Sequence, residues 1–453
     1  MGDPVDISQF PKILANMGST NEEVLTDAVT SIRKILSPAP QNDRIDLVIR
    51  SGLIPRLHYL LQFGTPKQAL ESSWALTNAL GTTEHTNFIV ENGILHTFIV
   101  LLNSPDLELA EKCLWGIGNI SGDSEQMRDF ALSLNVTDAI VQLSQKSCPD
   151  NLIRIIAWNI GNLLRDKSPD IKYGKRFLPV LLRLIKVDHL PTSDELFIDT
   201  LYSFTYVSKH SECVEEICFE FQNIGTLRKL ISFLDYRPTQ LPTLRVLGNL
   251  LAESNSFVAA ILDFGLDFLL HFLVVFLGYK KQIYILDSLW ILSNITAKYE
   301  KIVQRVIDFM VFQKVFDFCV LGSHKVRKEA LYVVTNTLIT ATPQQVEYLV
   351  SIDLAKLLGV SLDYVIQNED IHNNFFRSLK AVFTKPEGDQ LVQICDNFHT
   401  HGWNDHFEKL LNAKVDDFSS KIIKETFYIY TEGHKQPTIS SDNIIIGLTN
   451  FHI

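Results

Sequence analysis

The sequence predicts an all-helical solenoid, a stack of short helical repeats without a sheet. Three observations carry that prediction. One short phrase returns along most of the chain at a nearly constant interval. The apolar residues between its copies follow helical spacing, not strand alternation. Turn dipeptides at the 8–12-residue intervals that a propeller of similar period needs are missing.

The phrase is SSWALTNAL at 72–80, KCLWGIGNI at 112–120, IAWNIGNLL at 156–164 and DSLWILSNI at 287–295, each holding Trp-x-x-x-Asn. Degenerate copies fill the gap and extend the series: Tyr202/Tyr206 in DTLYSFTYVS, Arg245/Asn249 in PTLRVLGNLL and Tyr332/Asn336 in KEALYVVTNT. The first positions fall at 74, 115, 158, 202, 245, 290 and 332, at intervals of 41 to 45 residues. A period in the low forties suits armadillo or HEAT units of two or three helices. SGLIPRLHYLL, ENGILHTFIVLL and SFVAAILDFGLDFLLHFL read as apolar helices, introduced by turns at Gly52, Gly93, Gly225 and Gly265. A short break such as NSPDLELAEK follows, then the Trp–Asn helix. This is a three-helix armadillo rhythm, and the expectation is a right-handed superhelix of about ten units. The first copy, over roughly 5–60, lacks the Trp–Asn pair, and degenerate helices continue through 373–383 and 388–430. The array is expected to span 1–432, with 433–453 as a polar tail.

Composition narrows what such an array can do. Of 453 residues, 46% are hydrophobic and 21% charged, which is a folded composition. Because stacking buries a continuous core, that length need not divide into separate domains. Lys+Arg 41 against Asp+Glu 52 leaves a net charge of −11, which argues against a nucleic-acid or anionic-membrane binder and permits a basic partner. Six cysteines, with no CxxC, cannot staple a chain this long, so a reducing compartment is expected. MGDPVDISQFPKIL has neither the basic nor the apolar region of a secretory signal. FLLHFLVVFLG, from Phe268, covers about half the roughly 20 residues a membrane crossing needs and reads as buried helix.

Residues four apart share a helix face, so each Trp and its Asn present together. In EKCLWGIGNI the core positions fall to Leu114, Ile117 and Ile120, leaving Trp115 and Asn119 on another stripe. A single such pair would ordinarily be core packing with a satisfied amide. Three consecutive copies whose core positions are already aliphatic predict a ligand-facing ladder instead. Amides suit the unpaired backbone of an extended peptide, because each offers both donor and acceptor. Indoles make slots for long aliphatic side chains, and a terminal charge adds about 0.5–2 kcal/mol of cation–π attraction. Lys and Arg meet both demands. Asp123 lies one turn beyond Asn119, and Asp199, Asp287 and Glu329 each lie three residues before an aromatic rung.

The phrases ESSWALTN, CLWGIGNISGD, DTLYSFTYVS, PTLRVLGN, LWILSNITA and RKEALYVVTN closely resemble the importin-α family, the adaptors that carry nuclear-localisation signals. The resemblance runs from about residue 5 to 430 and keeps the family's irregular copies in order, with Tyr206 in place of Asn and Arg245 in place of Trp. It implies a major peptide site, about 70–206, at Trp74/Asn78, Trp115/Asn119, Trp158/Asn162, Thr86, Asp123, Arg165, Asp199 and Tyr206. Asp123 matches the carboxylate that selects the critical lysine. It implies a minor site, about 245–336, at Arg245/Asn249, Asp287 with Trp290/Asn294, and Glu329 with Tyr332/Asn336. Tyr332 departs from the family's Trp, and a Thr-Gly usual after the sixth-repeat Asn is missing from NLLAESN. C-terminal repeats, about 340–432, would meet the family's export receptor, and the protein would shuttle between cytoplasm and nucleus. The basic segment that binds importin-β is not found in residues 1–34, whose bases are Lys12, Arg33 and Lys34. The expectation is therefore an open groove, with no autoinhibition and no importin-β recruitment through that stretch.

No nucleotide loop, GxGxxG or HExxH is present, so neither an enzyme nor a cofactor is expected. His399, His401 and His406 have no fourth ligand at a familiar spacing and read as solvated histidines, not a metal site. The bases of KYGKRF (172–177) read as solvated surface. The rival reading, a scaffold of the catenin type, would need a groove lined with Lys and Arg for acidic partners; the acidic residues along this ladder argue against it.

Overall fold

The computed structural model describes residues 6–37, 42–165, 169–187 and 194–435. Every regular element among them is helical. The chain divides into two compact units, Met1–Ile217 and Cys218–Ile453. Each unit contains five of the Trp–Asn-type helices, the third helix of each repeat. In the first unit these are Glu22–Leu36, Pro66–Asn78, Leu107–Asp123, Asp150–Leu164 and Asp194–Val207. In the second they are Arg237–Glu253, Gln282–Thr296, His324–Thr340, Glu369–Thr384 and Asp417–Lys435. Within each unit consecutive third helices pack side by side, so each unit is an armadillo-type stack with five described third helices.

Local chemistry explains the repeat. Thr65 opens the Pro66–Asn78 helix with a reciprocal capping box to Gln68, and Pro66 supplies a preset φ in the first turn. Asp106 accepts from the Glu108 and Leu109 amides at 2.9 and 3.2 Å to start the next third helix. Between first and second helices the backbone turns sharply through a left-handed residue. Gly52 (φ 71°) and Gly93 (φ 81°) do this as the sequence suggests, and Asn135 (φ 61°), Met310 (φ 54°), Asp353 (φ 72°) and Gly402 (φ 76°) take the same conformation ahead of their own second helices.

The other two expected turn glycines act differently. Gly225 lies inside the helix Ile224–Ser232, whose start is capped by Asn223, and Gly265 has φ −142°. The first repeat is also shorter than expected. Its third helix ends at Leu36, and Asn42–Arg50 and Leu53–Phe63 are the first two helices of the second repeat. The apolar run from Phe268 is only half buried. Leu266–Phe276 buries Leu269, Leu270, Leu273 and Phe276 but leaves Phe268 67% exposed. No described helix is long and apolar enough by itself to cross a membrane; this one joins Asn255–Phe264 at a 93° bend. The last helix runs to Lys435, and the rest of the expected tail, 436–453, lies outside the described residues.

Candidate functional site

In the first unit, neighbouring third helices set the rungs in a row. Leu114, Ile117 and Ile120 are fully buried beneath the row, whereas Trp115 is 47% exposed. Trp74 and Trp158 are half-buried, as are Asn78 and Asn119. Each indole needs room on the preceding repeat. A β-carbon on Gly118 would lie 2.1 Å from Trp158 Cζ3, so Trp158 lies against glycine backbone one repeat earlier. The second unit repeats the arrangement with Trp290 against Gly248.

The asparagines brace the stack as well as facing outward. Asn78 Nδ2 donates to Ser37 Oγ at 3.3 Å, and the buried Asn162 donates to the Gly118 carbonyl at 3.1 Å. Asn336 donates to the Ser293 carbonyl at 2.9 Å and accepts from Asn374 at 2.6 Å. An amide has two donor hydrogens and two acceptor lone pairs, so the brace leaves capacity at Asn78, and least at Asn336.

The carboxylates of the first unit are poised differently from one another. Asp123 Oδ1 accepts from Thr83 Oγ1 at 3.1 Å, while its buried Oδ2 has no hydrogen-bond partner. The threonine beside Asp123 is thus Thr83. Thr86, the expected site residue, points into the packing at 3% exposure, one turn further along the helix Thr83–Glu91. Asp199 is half-buried with no cation paired to it among the described residues. Burial, and then the like charge of Glu195, push its carboxyl from 3.8 up to about 6. Arg165 donates through its guanidinium to the Gly122 carbonyl, and its own carbonyl accepts from Arg128 at 2.7 Å. Lys209 stands 5.5 Å from the Tyr206 ring centroid.

Sequence reasoning overlooked the cations at the first rung. Arg33 lies 4.5 Å and Lys112 4.9 Å from the Trp74 ring centroid, and they are held by Glu71 at 2.8 Å and Glu111 at 2.7 Å. The signal was present in the repeat register: Lys112 stands three residues before Trp115, the place that Asp199, Asp287 and Glu329 occupy before their own rungs.

In the second unit the charges answer one another. Arg245 Nε lies 3.3 Å from Asp287 Oδ2, across one repeat. Burial pushes the Asp287 carboxyl up, and Arg245 opposes that shift. Burial also raises Glu329, against the neighbouring Lys328. Lys328 pairs with Asp370, and Tyr332 Oη donates to the Asp370 carbonyl at 3.0 Å. Asn294 Nδ2 is buried without a partner, and Asn249 lies on the third helix Arg237–Glu253. In the second unit the Asp287 carboxylate already has a cation, which Asp199 lacks among the described residues.

Elsewhere, His401 Nδ1 meets the Asn397 carbonyl at 2.7 Å, His399 faces Asn404 at 3.3 Å, and His406 lies edge-on to Trp403. No group of three metal-binding side chains occurs among the described residues. The bases of 172–177 are paired on the surface: Lys172 with Asp170, Lys175 with Glu212 and Arg176 with Asp138.

Comparison with known proteins agrees with this geometry. Residues 82–122 match the Armadillo/beta-catenin-like repeat family. An engineered protein of known crystal structure superposes with a TM-score of 0.69 at 19% identity, covering 94% of this chain and 98% of its own, which is a likeness of fold. "Importin subunit alpha-5" of Arabidopsis thaliana is 28% identical over 90% of this chain and 80% of its own length. "Probable importin subunit alpha-A" of Dictyostelium discoideum is 30% identical over 54% of this chain, and "Importin subunit alpha-3" of Arabidopsis thaliana 31% over 56%. In those last two matches the chain spans about half the relative's length, 46% and 47%. The repeated helices, the ordered rungs with their irregular copies, and these relatives together make the chain similar to the importin-α proteins among armadillo-repeat proteins.

Proposed function

We propose that this protein is a nuclear-import adaptor that binds lysine- and arginine-rich localisation signals as extended peptides along the Trp–Asn ladder. Asp199 is the observation that carries the reading. It is a half-buried carboxylate beside the rungs, without a cation of its own, and held at about 6 by its surroundings. A protein pays for such a group in stability, and an incoming ammonium or guanidinium would offset that cost. Asp123, whose Oδ1 accepts from Thr83, is a second carboxylate on the same row. The major site is the stretch from Trp74 to Tyr206. The minor site, Arg245 to Asn336, is the weaker, because its Arg245–Asp287 pair must be opened and its Asn336 already makes two bonds within the stack.

Cargo signals and importin-β are the partners that the likeness to importin-α proteins supports in general, with the C-terminal repeats the proposed place for an export receptor. Shuttling between cytoplasm and nucleus follows from the same reading. A catenin-type scaffold is the weaker alternative, since unpaired carboxylates on the ladder would repel acidic partners. The test is a titration with a fluorescent lysine-rich peptide against the same peptide with alanines. Binding of the first alone, abolished by Asp123→Lys, is the expected result. Equal binding of both peptides would overturn the proposal.

A further inference from the structure

Charge inverts at the Trp115 rung, while Glu71 keeps the acid before Trp74. The position three residues before the rung is Asp199, Asp287 or Glu329 in later copies and Lys112 before Trp115. Lys112 and Arg33 both stand over the Trp74 ring, at 4.9 and 4.5 Å from its centroid. They are locked there: their side chains and those of their partners Glu111 and Glu71 are only 10–16% exposed, and Glu111 also takes the Asn151 amide. The cation–π capacity of this indole is therefore occupied by the chain itself.

Beside it lies a cavity of about 280 Å³, lined by Trp74, Asn78, Trp115, Asn119, Lys112 and Arg44 along with apolar neighbours. No Asp or Glu lines it among the described residues. Arg44 spends Nη1 on the Ile35 carbonyl at 3.2 Å, and Lys112 spends a donor on Glu111 at 2.7 Å. A guanidinium carries five N–H donors and an ammonium three, so both keep donors for another acceptor.

We propose that this compartment between the first two rungs takes an acidic side chain of the bound signal, a Glu or Asp flanking the basic cluster, and rejects lysine and arginine. The inference rests on the proposed peptide-binding function and specifies its sequence preference. A ligand cation here would meet Lys112 and Arg44 with no carboxylate lining the cavity, and would find the Trp74 ring already engaged. A carboxylate meets two cations with spare donors, framed by the amides of Asn78 and Asn119. The signal this protein prefers is then mixed in charge: basic where it passes Asp123 and Asp199, acidic where it reaches Trp74.

The experiment uses the full chain and acetylated, amidated peptides, so that only side chains carry charge. Each peptide has one lysine-rich core with Glu, Gln or Lys placed one to three residues beyond it on either flank, and affinity is read by fluorescence anisotropy. On one flank only, Glu is expected to bind at least about fivefold tighter than Lys. Lys112→Gln and Arg44→Gln should each reduce that preference to below about twofold, while binding of the Gln-flanked peptide through Asp123 persists and shows that each variant is folded. Lys binding as tightly as Glu on both flanks, or a Glu preference that survives both substitutions, would overturn the inference. If Asp123→Lys weakens every peptide while the flank preference is absent, the adaptor reading stands and this inference alone falls. If no basic peptide binds through Asp123, both fall.

Discussion

Trp158 occupies the space that a side chain on Gly118 would need: a β-carbon there would lie 2.1 Å from the ring. The glycine immediately before the ladder Asn is thus the seat of the following repeat's indole, and Gly248 seats Trp290 in the same way. Gly161 holds the same position, but the next rung is Tyr202, and its nearest neighbour would be Ser203 Oγ at 3.7 Å.

Alanine at these glycines should consequently have opposite effects. Alanine is favoured over glycine inside a helix by about 0.5–1 kcal/mol. Gly161→Ala is expected to gain that much. Gly118→Ala and Gly248→Ala must displace an indole, at a cost of about 1–3 kcal/mol for overpacking. Urea denaturation of the three variants checks this; equal behaviour at 118 and 161 would show that Trp158 is not seated on Gly118.

The repeat was legible because its marks are chemical identities on a fixed period, and Trp-x-x-x-Asn survives in enough copies to set the register. The aliphatic stripe of Leu114, Ile117 and Ile120 was legible for the same reason. What escaped is information that local pattern does not hold. A glycine before an apolar run looks the same whether it turns left-handed, as Gly93 does, or sits inside a capped helix, as Gly225 does. Met310 enters the left-handed region with no side-chain signature. The bonds of Asn162 to Gly118 and Asn336 to Ser293 span more than forty residues. Thr86 and Thr83 differ by one helical turn, and only the start of the helix at Thr83 decides which meets Asp123.

Met310 offers a test of the turn. A residue other than glycine pays about 1–2 kcal/mol to hold the left-handed conformation, and glycine pays about 0.5–1 kcal/mol in chain entropy. Met310 is 66% exposed, so little packing is lost on its removal. Met310→Gly is expected to raise stability by roughly 0.5–1 kcal/mol, and Gly93→Ala to lower it by about 1 kcal/mol. Thermal unfolding of both variants is the measurement; a destabilised Met310→Gly would mean the side chain contributes contacts that outweigh the strain.

The two ends of the ladder should differ in energetic weight. Asp123 carries a buried, unpartnered Oδ2 beside its Oδ1, whereas Glu329 lies next to Lys328 and near Asn336, which already donates once and accepts once. Removing one member of a desolvated charge pair costs about 2–5 kcal/mol. Asp123→Lys is expected to lose affinity for a basic peptide in that range, and Glu329→Lys to lose less, because Lys328 already lies beside Glu329. Calorimetric titration of both variants decides the order, and an equal loss would contradict the ranking of the two sites.

Asp199 makes binding and stability respond to pH in opposite directions. Its carboxyl titrates near 6 in the folded chain and at 3.8 in the reference state. Between those values the folded state holds a proton that the unfolded chain has released. Stability contributed by this residue is therefore greatest below the lower value, falls as pH rises toward 6, and stays reduced above it. Asp199→Asn removes the titration, so the variant and the parent should unfold alike near pH 4 and diverge above pH 6, with the variant the more stable. Ligand affinity runs the other way. A basic peptide favours the charged carboxylate, so its binding should strengthen between pH 5 and 7, by up to about tenfold for each pKa unit the peptide restores. Binding near pH 6 should also release a proton, which Asp199→Asn abolishes. Glu195 and its partner Arg154, 3.4 Å apart, are the charged neighbours to hold constant. Calorimetry at pH 6 in two buffers of different ionisation heat reads the proton directly. Equal heats in both buffers for the parent chain would show that Asp199 does not take up the ligand's charge.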